Sequence, residues 1–417
     1  MVDQSDNWLH LGGIDVHKSL RITGLTLLAV LLLITGIVAG GCASSQNNSG
    51  SAGQAKEQAG EPYQLGAVID ISGNSSSLGV PERDTLLMLV EKLNRAGGIN
   101  GHPVELTILD NKSEETEAVL AVKKLIEKDV LAVLGCSSSG PSMAMVNIVQ
   151  NAKVPMVSMA AASSIVEPVS ERQWVFKTAQ SDIVTVKKII TYLKAQGLTR
   201  VAFLSMNNTY GDGGKAAFTA AAEENGIEIV VEEKFEASDK DMTPQLTKVK
   251  ASGAQAAVVW AIPPSASIIT KNFRDMGLSI PLIHSHGVGN QKFIELAQGA
   301  AEGVILPIGK LAVASQIPDS DPQKKVLESY IADYQAKYNT LPNSFGGYAW
   351  DAFNLVVAAI EKAGPDRAAI RDELEKNTSG FVGISGVFNM SPADHNGLGV
   401  DSMVLVEVKD GKWQLLE

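Results

Sequence analysis

The residues of this 417-residue chain that could do chemistry lie in loops of small, hydroxyl-bearing side chains rather than in ionisable clusters. The first loop, Gly135-Cys136-Ser137-Ser138-Ser139-Gly140-Pro141, sits between an apolar run and a helical pattern. Free backbone N–H groups at a helix N-terminus, beside hydroxyls, make a seat for a carboxylate or phosphate. A serine-rich helix cap with no ligand reads the same way. The second loop, Met159 to Ser164, is small enough for backbone to approach a ligand, and the third runs from Asn207 to Lys215. The third is not a P-loop, because Thr209 stands where that motif needs its first glycine. Nor is Gly135–Ser139 a G-x-S-x-G nucleophile elbow, since Ser139 replaces its final glycine. His284 and His286 flank Ser285, but no third ligand lies nearby, so a ligand-contacting or solvated histidine outweighs a metal pair. With no nucleophile–base constellation and no zinc spacing, the pattern is one of binding loops, with no metal, no cofactor and no enzyme activity expected.

Composition narrows the class. A net charge of −11, from 46 acids against 35 bases, lacks the basic stripe of a nucleic-acid surface. Two cysteines exclude a disulfide scaffold and a multi-cysteine zinc module. Hydrophobic residues at 45 %, aromatics at only 5 % and 38 glycines suit α/β layers.

The first 60 residues read as export and tether. Lys18 and Arg21 precede an apolar run from Ile22 to Val38, followed by Ala39-Gly40-Gly41-Cys42. A basic flank, an apolar stretch and small residues describe a signal peptide over 1–41. The cysteine after them resembles the bacterial lipoprotein signal, which implies a lipid anchor at Cys42, although Ala39 stands where that signal usually has leucine. An uncleaved membrane helix is the alternative, since the run approaches the roughly 20 residues a bilayer needs. Either way the remainder is expected outside the cytoplasm. Residues 42–61 carry almost no large apolar group and read as a flexible tether. Cys136 then has no disulfide partner and reads as a buried, inert thiol.

From Tyr63 onward strands and helices alternate. Strands are expected at Tyr63–Ile71, Val104–Asp110, Val130–Leu134, Pro155–Ser158, Val201–Ser205, Ile227–Glu232, Ala256–Trp260 and Pro281–His284. Helices are expected at Pro81–Arg95, Glu114–Lys128, Ser142–Gln150, Ile183–Gln196, Gly214–Asn225, Met242–Ser252 and Ser265–Met276. Three more follow near Lys324–Tyr338, Tyr348–Lys362 and Ala368–Asn377, then strands at Val400–Val408 and Lys412–Leu416. Such alternation implies α/β layers with parallel-type sheets covered on both faces, and too many units for one sheet. The fold class is therefore α/β with two doubly wound lobes. Ligands of such sheets sit at the carboxyl ends of the strands, where the three polar loops fall.

Seven segments together carry a family resemblance: LGAVIDISGNSSSLGVPERD, LNRAGGINGHPVEL, VLGCSSSG, VPMVSMAAASSIVEP, WVFKTAQSD, VVWAIPPSAS and HSHGVGN. In this order the chain, from about Pro62 to its end, resembles the type I extracytoplasmic solute-binding proteins of ABC importers, the leucine/isoleucine/valine-binding kind. MAAASSIVEP, KTAQSD and HSHGVGN are most similar to a branch linked to aromatic and related hydrophobic carboxylates. The resemblance implies a Venus-flytrap of two lobes, 62–181 with 308–384 and 182–307 with 385–417, crossed three times near Gln180–Asp182, Leu306–Gly309 and Gly383–Val387. It implies a monomer that delivers its ligand to ABC permease subunits and is held at the membrane by lipid. It places the carboxylate-binding serine at Ser139, with Ser137 and Ser138 as fallbacks. The next binding loop falls at Ala160, Ala161 and Ala162, where Ala162 replaces a hydroxyl residue and Ser163 is a substitute. Tyr210 is the cleft tyrosine. Ile262, with Pro263, takes the place of a pocket aromatic, and Leu78 adds apolar wall. His286 stands where amino-acid binders carry the acid that receives the α-ammonium.

A buried cation without an anion is costly. The histidine therefore leads to the expectation of a hydrophobic, aromatic-type monocarboxylate without an α-amine. The alternative is a branched-chain or other hydrophobic amino acid, its ammonium taken by another acid such as Asp70 or Asp182. A ligand sensor for a signalling partner is the other reading of the same fold.

Overall fold

The computed structural model describes residues 60–416; the leader, Cys42 and nearly all of the tether lie outside the described residues. The chain enters β1 (Tyr63–Ile69), α1 (Ser76–Arg95), β2 (Val104–Asp110), α2 (Glu115–Glu127), β3 (Ala132–Gly135), α3 (Ser139–Ala152), β4 (Met156–Ser158) and β5 (Val175–Lys177). These strands form one parallel sheet in the order β2-β1-β3-β4-β5. Their inner residues are apolar on both faces, as a sheet covered by helices on each side demands.

The second half-turn of the fold runs α4 (Asp182–Ala195), β6 (Arg200–Met206), α5 (Thr209–Glu224), β7 (Glu228–Phe235), α6 (Thr243–Ala251), β8 (Ala256–Trp260), α7 (Ser265–Asp275), β9 (Leu282–His284), α8 (Gln291–Ala297) and β10 (Ile305–Gly309). Helices α9 (Lys324–Tyr338), α10 (Ser344–Ala363) and α11 (Arg367–Lys376) follow, then a hairpin of β11 (Phe381–Val382) and β12 (Val387–Phe388). Strands β13 (Met403–Lys409) and β14 (Lys412–Leu415) close the chain. The second sheet has the order β14-β13-β10-β9-β8-β6-β7. It is parallel from β7 to β10, and β13 and β14 add an antiparallel edge.

The helices that return after β10 pack on the first sheet. Helix α10 runs along α1, and Gly346 makes the approach possible: a Cβ there would lie 2.4 Å from the Tyr330 hydroxyl and 2.8 Å from Thr85 Oγ1. Those two hydroxyls are themselves bonded at 2.7 Å. Helix α1 begins at Ser76, five residues before the expected Pro81, which it absorbs one turn in.

The chain passes from the first sheet to the second at Thr178–Ser181 and leaves the second after Gly309. The third passage lies later than Gly383–Val387, which is occupied by the β11–β12 hairpin. Residues 395–396 still bond the end of the first sheet: Lys177 N–H donates to His395 O at 3.1 Å, and Asn396 Nδ2 donates to Lys177 O and Ala179 O. The change of sheet therefore falls between Gly397 and Met403.

Candidate ligand-binding site

Strands β1, β3 and β4 end beside the ends of β6, β8 and β9, and a cavity of about 390 Å³ opens between them. The β3–α3 loop forms its floor. Gly135 turns the chain there with φ +117°, and a side chain would meet Val68 O at 2.0 Å, so only glycine fits. Ser137, Ser138 and Ser139 all line the cavity, but their hydroxyls are not equivalent. Ser137 Oγ donates to the Glu82 carboxylate and accepts from Asp70 N–H at 3.2 Å. Ser138 Oγ donates to Asp70, whose other oxygen accepts from Asn111 Nδ2 at 2.8 Å. Ser139 Oγ accepts from Ala162 N–H at 3.2 Å, which leaves its own proton free. Burial is the leading cause that pushes the Asp70 and Glu82 carboxyls up, Glu82 far more so.

Of the other residues named from sequence, Leu78, Ala161, Tyr210, Ile262, Pro263 and His286 line the same cavity. Ala160, Ala162 and Ser163 do not. Ala160 and Ala162 point into the apolar cluster behind β3 and β4. Ser163 faces a separate shallow depression with Ser164 and Glu167, and its N–H donates to Asp182 Oδ2 at 3.3 Å. The two acids considered as ammonium acceptors, Asp70 and Asp182, are both fully buried and neither lines the cavity. Asp182 is instead a neighbour of buried Lys177, with burial pushing the carboxyl up and the ammonium down. Among the described residues, the carboxylates on the cavity lining are Glu114 and Glu115 at the start of α2, and no lysine or arginine lines it.

The opposite wall is built on β8, β9 and α5. Gly214 lets α5 close on Trp260, whose ring lies 2.2 Å from where a Cβ would stand. Trp260 in turn sits beside Tyr210 and edge-on to His286. Tyr210 Oη donates to Ser285 Oγ at 2.9 Å. His286 Nδ1 is 3.0 Å from Thr185 Oγ1. Burial first, and the Lys177 charge second, push His286 down to about 3, so its ring is neutral at pH 7. Cys136, behind the serine loop, is free and buried, and burial raises its thiol well above the ordinary range.

Sequence reasoning missed Phe345 and Tyr348, which line the cavity from the first turns of α10. The signal was present: Asn343 caps that helix, its side chain accepting from Phe345 N–H and Gly346 N–H. Tyr348 Oη donates to Gln180 Oε1 at 3.2 Å, and Gln180 Nε2 donates to Ser385 O at 2.7 Å.

Comparison with known proteins gives concordant matches. A family model described as periplasmic binding protein matches residues 62–412. The leucine-, isoleucine-, valine-, threonine-, and alanine-binding protein of Pseudomonas aeruginosa is 26% identical over 312 residues, 74% of this chain and 80% of that protein. An extracellular ligand-binding receptor from Rhodopseudomonas palustris HaA2 superposes with a TM-score of 0.80 at 30% identity, over 85% of this chain and 99% of the other. The branched-chain amino acid transporter substrate binding protein LivJ from Streptococcus pneumoniae, solved in complex with isoleucine, gives a TM-score of 0.75 at 27% identity, over 85% and 98%.

Proposed function

The chain belongs to the periplasmic binding protein family, in its type I, leucine/isoleucine/valine-binding kind, and from that premise we propose that it captures a small hydrophobic amino acid in its inter-sheet cavity for an ABC permease. It is a solute-binding protein, not an enzyme. One observation carries the ligand reading: a free serine proton at a helix N-terminus faces an apolar wall of Leu78, Ile262, Pro263 and Phe345. The serine and the N–H groups of α3 suit a carboxylate, and the wall suits a branched or ring side chain. Relatives named as binders of branched-chain amino acids support the amino acid over an amine-free acid.

The second reading, a hydrophobic or aromatic acid without an α-amine, is favoured by one observation: His286 is neutral and, among the described residues, no carboxylate stands deep in the cavity. A thermal-shift screen of leucine, isoleucine, valine and phenylalanine against benzoate and phenylacetate separates the two. A ligand at 100 times its Kd that binds only the folded chain stabilises it by about 2.7 kcal/mol. Shifts with the acids alone overturn the amino-acid reading.

We further propose that the two sheets belong to lobes that close on the ligand, that Cys42 carries the lipid anchor and that the receptor works as a monomer. Closure predicts a smaller radius of gyration on saturation with the ligand. Cys42→Ser predicts release from the membrane.

A further inference from the structure

Three groups behind the cavity, none of which lines it, decide where the protons of the cavity wall point. Gln180 is fully buried, and its Nε2 donates to Ser385 O at 2.7 Å. That bond fixes the amide, because the reverse orientation would set two carbonyl-type oxygens against each other. Its Oε1 must then face Tyr348, so the Tyr348 hydroxyl gives up its proton at 3.2 Å and shows the cavity a lone pair. The same logic holds at Tyr210. Ser285 sends its proton toward Ala261 O at 3.5 Å and accepts that of Tyr210 at 2.9 Å. At His286, Thr185 Oγ1 donates to Met403 Sδ at 3.7 Å and lies 3.0 Å from Nδ1. An Nδ1–H tautomer makes both contacts, whereas an Nε2–H tautomer makes only one and leaves the sulfur unused. The first tautomer turns a bare Nε2 to the cavity.

We propose that Thr185, Ser285 and Gln180 are specificity-determining positioning residues: each consumes or fixes a proton so that His286, Tyr210 and Tyr348 face the ligand as acceptors. The floor has the reverse polarity, since Ser139 is the serine of its loop with a proton still to give. A ligand with a carboxylate at one end and several N–H donors beside it satisfies both surfaces. An α-ammonium carries three such donors, so a ring of neutral acceptors can receive it where no carboxylate stands. This inference rests on the amino-acid reading above, and it explains how a histidine can stand at the ammonium position.

The test has a ligand-free arm and a ligand arm. Nitrogen-15 NMR of ring-labelled histidine in the ligand-free protein, with His286 assigned from its loss in His286→Gln, reads the tautomer directly. The expected result is Nδ1–H with bare Nε2, kept in Thr185→Ser and lost in Thr185→Val. An Nε2–H tautomer in the parent protein overturns the inference, whatever the ligand proves to be. In the second arm calorimetry compares leucine with 4-methylpentanoate, the same skeleton without the amine. Thr185→Val and Gln180→Leu should each weaken leucine at least about 10-fold relative to 4-methylpentanoate, the loss expected for one hydrogen bond to a charged group. Equal weakening of both ligands marks a merely structural role and overturns the assignment. A parent protein that binds no hydrophobic amino acid but shows the Nδ1–H tautomer fails the ligand reading while the proton arrangement stands.

Discussion

Removing single hydroxyls from the serine loop should separate the ligand seat from its scaffold. Ser139→Ala deletes the one hydroxyl of the three whose proton is uncommitted, and also the acceptor of Ala162 N–H at 3.2 Å. A hydrogen bond to a charged group contributes about 1.5–3 kcal/mol, so affinity for a carboxylate ligand should fall roughly 10- to 150-fold. Ala162 is fully buried, so its orphaned N–H should lower the stability of the ligand-free protein by about 1–3 kcal/mol as well. Ser137→Ala and Ser138→Ala act differently. Each takes a donor from a fully buried acid, Glu82 or Asp70, so the loss should appear mainly in stability. Urea unfolding without ligand and calorimetry with ligand, on all three variants, measure the two effects apart. Intact affinity in Ser139→Ala, with a loss of about ten-fold or more in Ser137→Ala or Ser138→Ala, would refute the reasoning.

Gly214→Ala should cost at least the roughly 1–3 kcal/mol of overpacking, since its Cβ would stand 2.2 Å from the enclosed Trp260 ring; a melting temperature equal to the parent's contradicts the packing described. His284 is pushed down to about 3, by burial first and by Arg274 second, against 6.5 in the unfolded chain. The unfolded state therefore takes up the proton first, and the stabilising effect of the neutral ring is full above pH 6.5 and lost as pH falls. Between pH 7.5 and pH 5 that loss is about 2 kcal/mol, so the stability gap between the parent and His284→Gln should narrow by that amount; a constant gap in urea unfolding counts against a buried neutral ring. Cys136 should resist alkylation in the native state and react on unfolding, as mass spectrometry of its peptide would read; rapid native labelling would place the thiol at the surface.

The strand–loop–helix units were legible because each is local. The apolar run ending at Gly135, the small residues after it and the helical spacing beyond are contiguous, and they put Ser137–Ser139 at the cavity. The same locality failed at α10. The expected start at Tyr348 lies four residues after the observed one, and Gly346 and Gly347 in the first turn allow close approach to Tyr330, Thr85 and Ile384. The late third passage was hidden for a related reason: what holds residues 395–396 on the first sheet is bonding to Lys177 and Ala179, more than two hundred residues away in sequence. Which serine keeps its proton was beyond reach as well. The partners that commit Ser137 and Ser138 lie 55 and 68 residues upstream, on α1 and after β1, and no spacing rule joins them. The resemblance marks Ala160, Ala161 and Ala162 as one binding loop, but its side chains alternate between cavity and apolar core, and of the three only Ala161 falls on the open side.

Isothermal titration calorimetry of the purified receptor with leucine is the most direct test of a carboxylate-seating cavity for hydrophobic amino acids. One leucine should bind saturably per chain, with affinity weakened roughly 10- to 150-fold by Ser139→Ala. Absence of binding by leucine, isoleucine, valine and phenylalanine alike, or binding indifferent to Ser139→Ala, would contradict it.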